Sequence, residues 1–427
     1  MKKLLIGSIA ICSTIIAFWF VSQPKTPEQL LELRAERFIE LATAFAADNP
    51  DEIDMYWGPV SLDRRDDGKA VSIDELITQA SALSQEFSNA PLGVDPAREK
   101  RLNLRIENLL TLLELAQQNQ RPTFIEEMRR LYGIDLETIP NAQLQEQLDR
   151  LEELLPGRGT LAFRIATYRN RLLVPADKRK AVFEAALQEC RSRTTRIWEL
   201  PVNENIELVW SRDTDAAWHR YLGNGSSILT LNDLSLAFLD SAIDVACHEA
   251  YPGHHSQYTL REQSGINPED SLILLRSPES VLLEGAANIG AELAFPAQQR
   301  QLFEREVLAE IAGITPPDAE QYLAIKNTIT ELEAAVLPIA QEYYDGEIAF
   351  NTATFRLERE AIISSPSALP EFIDEFGSYA IGYTLAEDLL RDQLAGLNSA
   401  AEKWRRLREI ITTPSESAER LFSGTLE

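Results

Sequence analysis

Apolar residues recur through most of the chain with the 3.6-residue period of an amphipathic α-helix. The first helix is predicted to begin at Thr26-Pro27-Glu28, which supplies a capping hydroxyl, a proline at the first helical position and an acid in the first turn. Further helices are predicted at residues 73–87, 97–118, 123–131, 142–155, 178–198, 279–295, 301–312, 318–344, 352–363, 379–394 and 400–411. No fixed repeat connects them, so the pattern predicts a mainly α protein with one large domain over residues 26–427.

The middle of the chain departs from this pattern. Residues 205–210 (Asn-Ile-Glu-Leu-Val-Trp) alternate like a strand, and Gly223-Asn224-Gly225 stands before a second β-rich run, Ser226–Leu231. These turn residues predict a small hairpin or edge strand directly before the helix that carries the candidate chemistry. A simple surface hairpin is the alternative.

The charge balance limits the classes of partner. Lys and Arg number 41 against 67 Asp and Glu, a formal net charge of −26. Such a surface repels phosphate, so we expect no nucleic-acid partner and little attraction to anionic lipid headgroups. Three cysteines, Cys12, Cys190 and Cys247, cannot form a disulfide framework. Cys12 lies in the apolar N-terminal segment, and we expect Cys190 and Cys247 to be free thiols.

The N-terminus predicts a membrane anchor. Lys2 and Lys3 precede the run Leu4–Ser22, which contains no charged residue, and Ser22-Gln23-Pro24 is a poor context for cleavage. We therefore interpret residues 1–25 as a signal anchor, with a cleaved signal peptide as the alternative. Because the lysines stay inside, we expect the body to lie on the periplasmic side of a bacterial inner membrane.

The candidate chemistry lies at the histidines. The chain has four, and three of them fall between His248 and His255. His248 is followed directly by Glu249, with further His residues downstream, which is similar to the zincin arrangement. In that arrangement two imidazoles bind zinc and the Glu activates the metal-bound water. The alternative is a helix-breaking loop whose histidines only cap or hydrogen-bond.

The spacing of these histidines differs from the usual four residues. On a continuous helix His254 would lie about 120° out of phase with His248, and His255 would be in phase but roughly 10 Å further along the axis. Pro252-Gly253 between them predicts a break in the helix. After such a break the chain can return His254 to the first ligand, so we expect His254 to bind zinc and His255 to face elsewhere.

A catalytic zinc site usually has a third protein ligand. Glu284 follows an apolar run and precedes the small residues Gly285-Ala286-Ala287, which permit close helix packing, so we expect it to face inward and bind the metal. Asn288 and Glu292, one and two turns further on, are candidates for contacts to the ligands.

Four other residues leave two interpretations each. Tyr379 could donate a hydrogen bond to a developing oxyanion or could be a buried structural tyrosine. Asp244 could orient His248 or be solvated, and Arg276 could bind a substrate carboxylate or belong to a helix start. His219 stands apart from the cluster and is expected on the surface or at a strand edge.

The segment His248-Glu-Ala-Tyr-Pro-Gly-His-His-Ser-Gln257 resembles the His-Glu-x-x-Pro-Gly-His-[aromatic or His]-x-Gln signature of a bacterial family catalogued as domain of unknown function 885. Glu284-Gly285 and Ala287 match part of that family's later Glu-Gly-Trp-Ala block, with Ala286 in place of the Trp. The family is similar to helical gluzincin metallopeptidases. The resemblance therefore implies a large, mostly α catalytic domain, with its motif core at about residues 220–293, and a zinc ion held by two His and one Glu.

Together these features predict a zinc-dependent hydrolase that cleaves peptide bonds in the periplasm. Zn2+ would be held by His248, His254 and Glu284, while Glu249 takes the proton of the water and later gives it to the leaving amine. The strand Ser226–Leu231 would pair with an extended peptide substrate. Two other interpretations stay open, namely an inactive membrane-tethered helical scaffold and a zinc hydrolase that acts on a small non-peptide amide.

Overall fold

The computed structural model describes residues 25–118, 120–136, 144–213 and 217–422. Within these ranges the protein is mainly helical, as the periodicity predicts. The predicted anchor, residues 1–25, falls outside the described residues except for Lys25. None of the helices in the described ranges is long and apolar enough to cross a membrane.

The helices follow one another along the chain with short connections. They are α1 (Pro27–Phe45), α2 (Ile73–Asn89), α3 (Pro96–Gln117), α4 (Phe124–Glu127), α5 (Gln145–Leu154), α6 (Leu161–Arg169), α7 (Arg179–Thr195), α8 (Leu239–Glu249), α9 (His254–Gln263), α10 (Pro278–Ala294), α11 (Ala297–Phe303), α12 (Ala309–Ala312), α13 (Ala319–Leu332), α14 (Val336–Tyr344), α15 (Phe350–Glu360), α16 (Ala368–Phe376), α17 (Tyr379–Ala395), α18 (Ala400–Thr412) and α19 (Pro414–Phe422). The predicted start of α1 is confirmed, since Thr26 and Gln29 form a reciprocal capping box there. The periodicity did not predict α6, α16 and α19, which are each only nine residues long.

Two small sheets accompany the helices. β1 (Ile53–Tyr56) pairs antiparallel with β5 (Leu272–Leu274), and this sheet was not predicted. In the other sheet β4 (Ser226–Leu231) lies between β2 (Asn205–Trp210), to which it is parallel, and β3 (Trp218–Gly223), to which it is antiparallel.

The predicted hairpin is confirmed as β3 and β4, but the prediction that β4 has a free edge is wrong. The turn has positive φ at Asn224 and Gly225, as a two-residue hairpin requires. Strand β4 is nevertheless the central strand, because β2 occupies its other side. It therefore has no free edge for a peptide, and the expectation that Ser226–Leu231 pairs with substrate is wrong.

Helix α10 lies at the centre of the helical body and packs against α8, α17, α18 and α19. Its small residues make this packing possible. A Cβ on Gly285 would lie 2.7 Å from the backbone nitrogen of Glu387 in α17, and a Cβ on Gly290 would lie 2.8 Å from the Pro252 ring. The sequence prediction of close helix approach beside Glu284 is confirmed.

A disulfide joins the helix before the β2–β4 sheet to the helix after it. Cys190 of α7 and Cys247 of α8 are bonded, although they are 57 positions apart in the sequence. The expectation of two free thiols is therefore wrong, since helical periodicity carries no information on which two helices are neighbours. The bond fixes α8 immediately before His248.

Candidate metal centre

Three side chains converge at the meeting point of α8, α9 and α10. The Nε2 atoms of His248 and His254 are 3.1 Å apart, and each lies 3.2 Å from a carboxylate oxygen of Glu284. Zinc bonds of about 2.0–2.1 Å in a tetrahedral site would separate neighbouring ligand atoms by about 3.3 Å. The two contacts involve different oxygens of Glu284, Oε2 for His248 and Oε1 for His254, and the donor atoms of the three residues all lie within 4.8 Å of one another, so these residues could hold a metal ion.

The break between α8 and α9 produces this spacing. Helix α8 ends at Glu249, a cis peptide bond joins Tyr251 to Pro252, and α9 begins at His254. A Cβ on Gly253 would lie only 1.6 Å from the carbonyl oxygen of His248, so no residue with a side chain fits there. The predicted helix break is confirmed, and its tight return is what sets His254 beside His248.

The imidazole of His248 is oriented from α10. Its Nδ1 lies 2.8 Å from Oδ1 of Asn288, whose amide donates to a carboxylate oxygen of Glu387 in turn. Asp244 does not contact the ring, because it pairs with Arg300 at the surface. Of the candidates for contacts to the ligands, Asn288 therefore reaches the centre, whereas Glu292 pairs with Arg391.

The charges of the three residues are strongly coupled. Burial alone would lower the pKa of His254, but the carboxylate of Glu284 outweighs burial and raises that pKa to about 9. The pKa of His248 is raised for the same reason. Burial acts in the opposite direction on Glu284, yet His254 and His248 hold its pKa well below the usual range. The two imidazoles and the carboxylate thus favour one another's charged forms.

Glu249 is the last residue of α8 and follows the first histidine directly. Its side chain is partly exposed, and within the described residues it makes no hydrogen bond or ion pair. Its negative charge contributes to the raised pKa of both His248 and His254. The carboxylate predicted to act as the base therefore directly follows a candidate ligand in the chain and has no hydrogen-bond partner among the described residues.

His255 points away from the three donors, into a buried chain of hydrogen bonds. Its Nε2 lies 3.0 Å from Glu204 and its Nδ1 lies 2.7 Å from the hydroxyl of Ser227, which in turn lies 2.9 Å from Nε2 of His219. Burial would raise the pKa of Glu204, but hydrogen bonds from His255, Tyr251 and Arg191 lower it to about 2. Both nitrogens of His255 thus have protein partners, and neither is available to a metal.

His219 was expected on the surface or at a strand edge; it lies on an edge strand of its sheet, but the surface position is wrong. It is buried on β3, with its ring stacked 6.0 Å from His254 and 5.8 Å from Tyr258. Strand β3 buries His219, Tyr221 and Gly223 and exposes Trp218 and Leu222, two large apolar residues, so the hydrophobic pattern does not indicate which face is buried. The Nδ1 atom of His219 is buried without a partner among the described residues.

A second group of polar residues, not predicted from the sequence, lies beside Glu284. Asp54 of β1 accepts hydrogen bonds of 3.4 Å from the hydroxyls of Tyr258 and Ser280. Burial raises the pKa of Asp54 to about 6, and the charge of Glu284 acts in the same direction. Tyr379 is buried in this group, where its hydroxyl contacts Ser280. Its predicted oxyanion role stays a prediction.

Comparisons with known proteins do not identify the chain. No protein-family model and no curated protein match it. A "putative lipoprotein" from Colwellia psychrerythraea is similar in structure, with a TM-score of 0.47, 13% identity, and coverage of 83% of this chain and 70% of that chain. A "putative lipoprotein of unknown function" from Shewanella oneidensis gives a TM-score of 0.45, 13% identity, and coverage of 83% and 73%. The resemblance to domain of unknown function 885 stays a prediction.

Proposed function

We propose that the protein is a zinc-dependent hydrolase that cleaves peptide bonds. The observation that carries this proposal is the convergence of His248, His254 and Glu284, whose donor atoms lie within 4.8 Å of one another, with Glu249 next to His248 in the sequence. His and Glu donors at this spacing suit zinc, and three protein ligands leave a position for water and substrate. An arrangement of two ligands flanking a free carboxylate is what hydrolysis by an activated water requires.

The proposed reaction assigns a separate task to each residue. Bound zinc would supply Lewis acidity at the scissile carbonyl and acidify a water molecule. Glu249 takes a proton from that water while its oxygen adds to the carbonyl carbon, and then passes the proton to the leaving nitrogen as the C–N bond breaks. Asn288 holds the His248 ring, and the helix break at Gly253 holds His254 in position.

The compartment follows from different features. Disulfides persist in oxidising compartments and are rare in the cytosol, so the Cys190–Cys247 bond supports an exported body. The uncharged run Leu4–Ser22 behind two lysines supports export by the same N-terminal segment. We therefore include a periplasmic location, anchored at the inner membrane, in the proposal.

The test is Glu249→Gln in the full chain. The amide still hydrogen-bonds water but cannot accept its proton, so we expect zinc content to stay at the wild-type level and peptide cleavage to fall by about 100-fold or more. Zinc is measured by elemental analysis and cleavage by mass spectrometry of a peptide-library digest. Asp244→Asn is the matched control, because it removes another carboxylate of α8 that contacts Arg300 instead of the centre.

The outcomes separate the three interpretations. A wild-type protein that binds no zinc contradicts the metal centre and supports the inactive scaffold. A protein that binds zinc but cleaves no peptide supports a hydrolase of other amides. Turnover by Glu249→Gln within a few-fold of wild type, with zinc bound, contradicts the assignment of the base.

A further inference from the structure

Asp54 occupies an unusual position relative to the metal centre. Its two hydrogen-bond partners are Tyr258, four residues after His254 on α9, and Ser280, four residues before Glu284 on α10. A spacing of four residues corresponds to one helical turn, about 5–6 Å along the same face. Asp54 thus faces the centre from one turn away along both ligand-bearing helices.

The positive charge that acts on this carboxylate is that of a protonated His254, and a histidine is neutral when it binds a metal. Within the described residues no Lys or Arg forms an ion pair with Asp54, and its two hydrogen-bond donors are neutral hydroxyls at 3.4 Å. The neighbouring carboxylate Glu284 repels it. A partly buried carboxylate in such surroundings is costly unless a cation from outside pairs with it.

The arginine predicted to bind a substrate carboxylate has a carboxylate partner within the protein. Arg276, the candidate for a substrate carboxylate, is already paired with Glu52 of the segment before β1. The surroundings of the centre therefore favour a positive group on the substrate over a negative one. The net charge of −26 acts in the same direction, because it attracts cations to the surface.

We propose that Asp54 binds the free α-ammonium group of a peptide substrate, so that the enzyme removes residues from the N-terminus. This inference rests on the proposed function and names its substrate class. In such a substrate the ammonium nitrogen is two bonds from the first scissile carbonyl carbon, which fits a carboxylate one helical turn from the ligands. An internal peptide bond would place a neutral N–H there and leave Asp54 without its cation.

The reaction then consumes one water and releases one amino acid at a time. The oxygen of the water joins the carbonyl carbon of the first residue, the first peptide C–N bond breaks, and the proton passes through Glu249 to the new N-terminus. That new N-terminus is again an amine, and it can bind Asp54 in the next cycle.

Binding can be tested without turnover by use of the Glu249→Gln protein. We would measure the dissociation constants of trialanine and N-acetyl-trialanine by calorimetry at pH 7.5, with zinc bound. Since hydrogen bonds to charged groups contribute about 1.5–3 kcal/mol, we expect trialanine to bind about 10- to 100-fold more tightly. Adding Asp54→Asn should remove this preference and leave zinc content unchanged. Asp51→Asn, which removes an exposed carboxylate three residues earlier, is the control and should keep the preference.

Several results would overturn the proposal. Equal affinity of the Glu249→Gln protein for both peptides does so even if Asp54→Asn fails to fold. A wild-type protein that holds two zinc ions, with one lost in Asp54→Asn, shows that Asp54 binds a metal instead. If the amine preference is found but wild type cleaves neither peptide, Asp54 keeps its assignment and the proposed hydrolysis fails.

Discussion

Glu279 and Glu284 project from the same helix, α10, into two polar clusters that obtain positive charge in different ways. Glu279 belongs to an arginine cluster, which comprises Arg98, Arg105, Arg261, Glu269, Asp270 and Glu279. Glu284 belongs to the metal centre with His248 and His254. The cations of the first cluster are arginines of α3 and α9. In the second cluster the groups that can carry positive charge are the imidazoles of His248 and His254.

The buried carboxylates of the arginine cluster have arginine partners within the protein. Arg105 contacts Glu279 at 2.7 Å and Asp270 at 3.0 Å, and Arg98 contacts Glu269 at 2.7 Å, all with nearly buried side chains. At the metal centre Glu284, Glu249 and Asp54 face two neutral or protonated rings and no arginine. This difference is what the proposal of a bound metal ion and a cationic substrate group rests on.

The largest effect is expected from breaking the arginine cluster. Arg105→Met removes the nearest cation of both Glu279 and Asp270 and leaves Arg261 at 3.9 Å from Glu279, so it should lower the free energy of unfolding by about 3 kcal/mol. Zinc content of the folded fraction should not change. Urea denaturation measures the first quantity and elemental analysis the second.

The control for this prediction lies on the same helix. Lys100 pairs with Glu419 at the exposed surface, so Lys100→Met should lower the free energy of unfolding by less than about 1 kcal/mol. If both substitutions lower the free energy of unfolding by the same amount, burial does not distinguish the arginine cluster from a surface ion pair. If Arg105→Met loses zinc while still folded, the two clusters on α10 are not independent.

The adjacent histidines allow a sharper test of the metal centre. His254→Ala removes a proposed ligand and should weaken zinc binding by well over 100-fold, whereas His255→Ala removes a partner of Ser227 and Glu204, which are not ligands, and should weaken zinc binding by less than about 10-fold. Zinc titration into chelator-stripped proteins compares the two. Loss of binding in His255→Ala with near-normal binding in His254→Ala would reverse the ligand assignment.

The comparison of the two clusters also explains what could be predicted from sequence. His248, His254 and Glu284 were predicted because a motif, a helix-breaking Pro-Gly pair and a run of small residues are all local signals. The helices with long periodic patterns were predicted for the same reason. Local patterns are sufficient where the chain itself brings the residues together.

Contacts between distant segments could not be predicted in this way. Asp54 lies on a four-residue strand whose partner β5 is more than 200 positions away, and such a strand is too short for its alternation to be recognised. His219 was misplaced because β3 exposes its large apolar residues, and the Cys190–Cys247 pairing depends on two helices becoming neighbours. Each error concerns a tertiary contact that overrides the local pattern.

The smallest effect is expected at the residue that links the metal centre to α17. Asn288 contacts Nδ1 of His248 at 2.8 Å, and groups in this position hold a ligating ring in the correct tautomer and orientation. Asn288→Ala should therefore weaken zinc binding by about 10- to 100-fold without abolishing it. Glu292→Gln, one turn further along α10 and paired only with Arg391, is the matched control and should leave zinc affinity unchanged. Zinc titration of both variants decides the point, because equal affinities in the two would mean that the Asn288 contact is structural and that the ring of His248 is held by other groups.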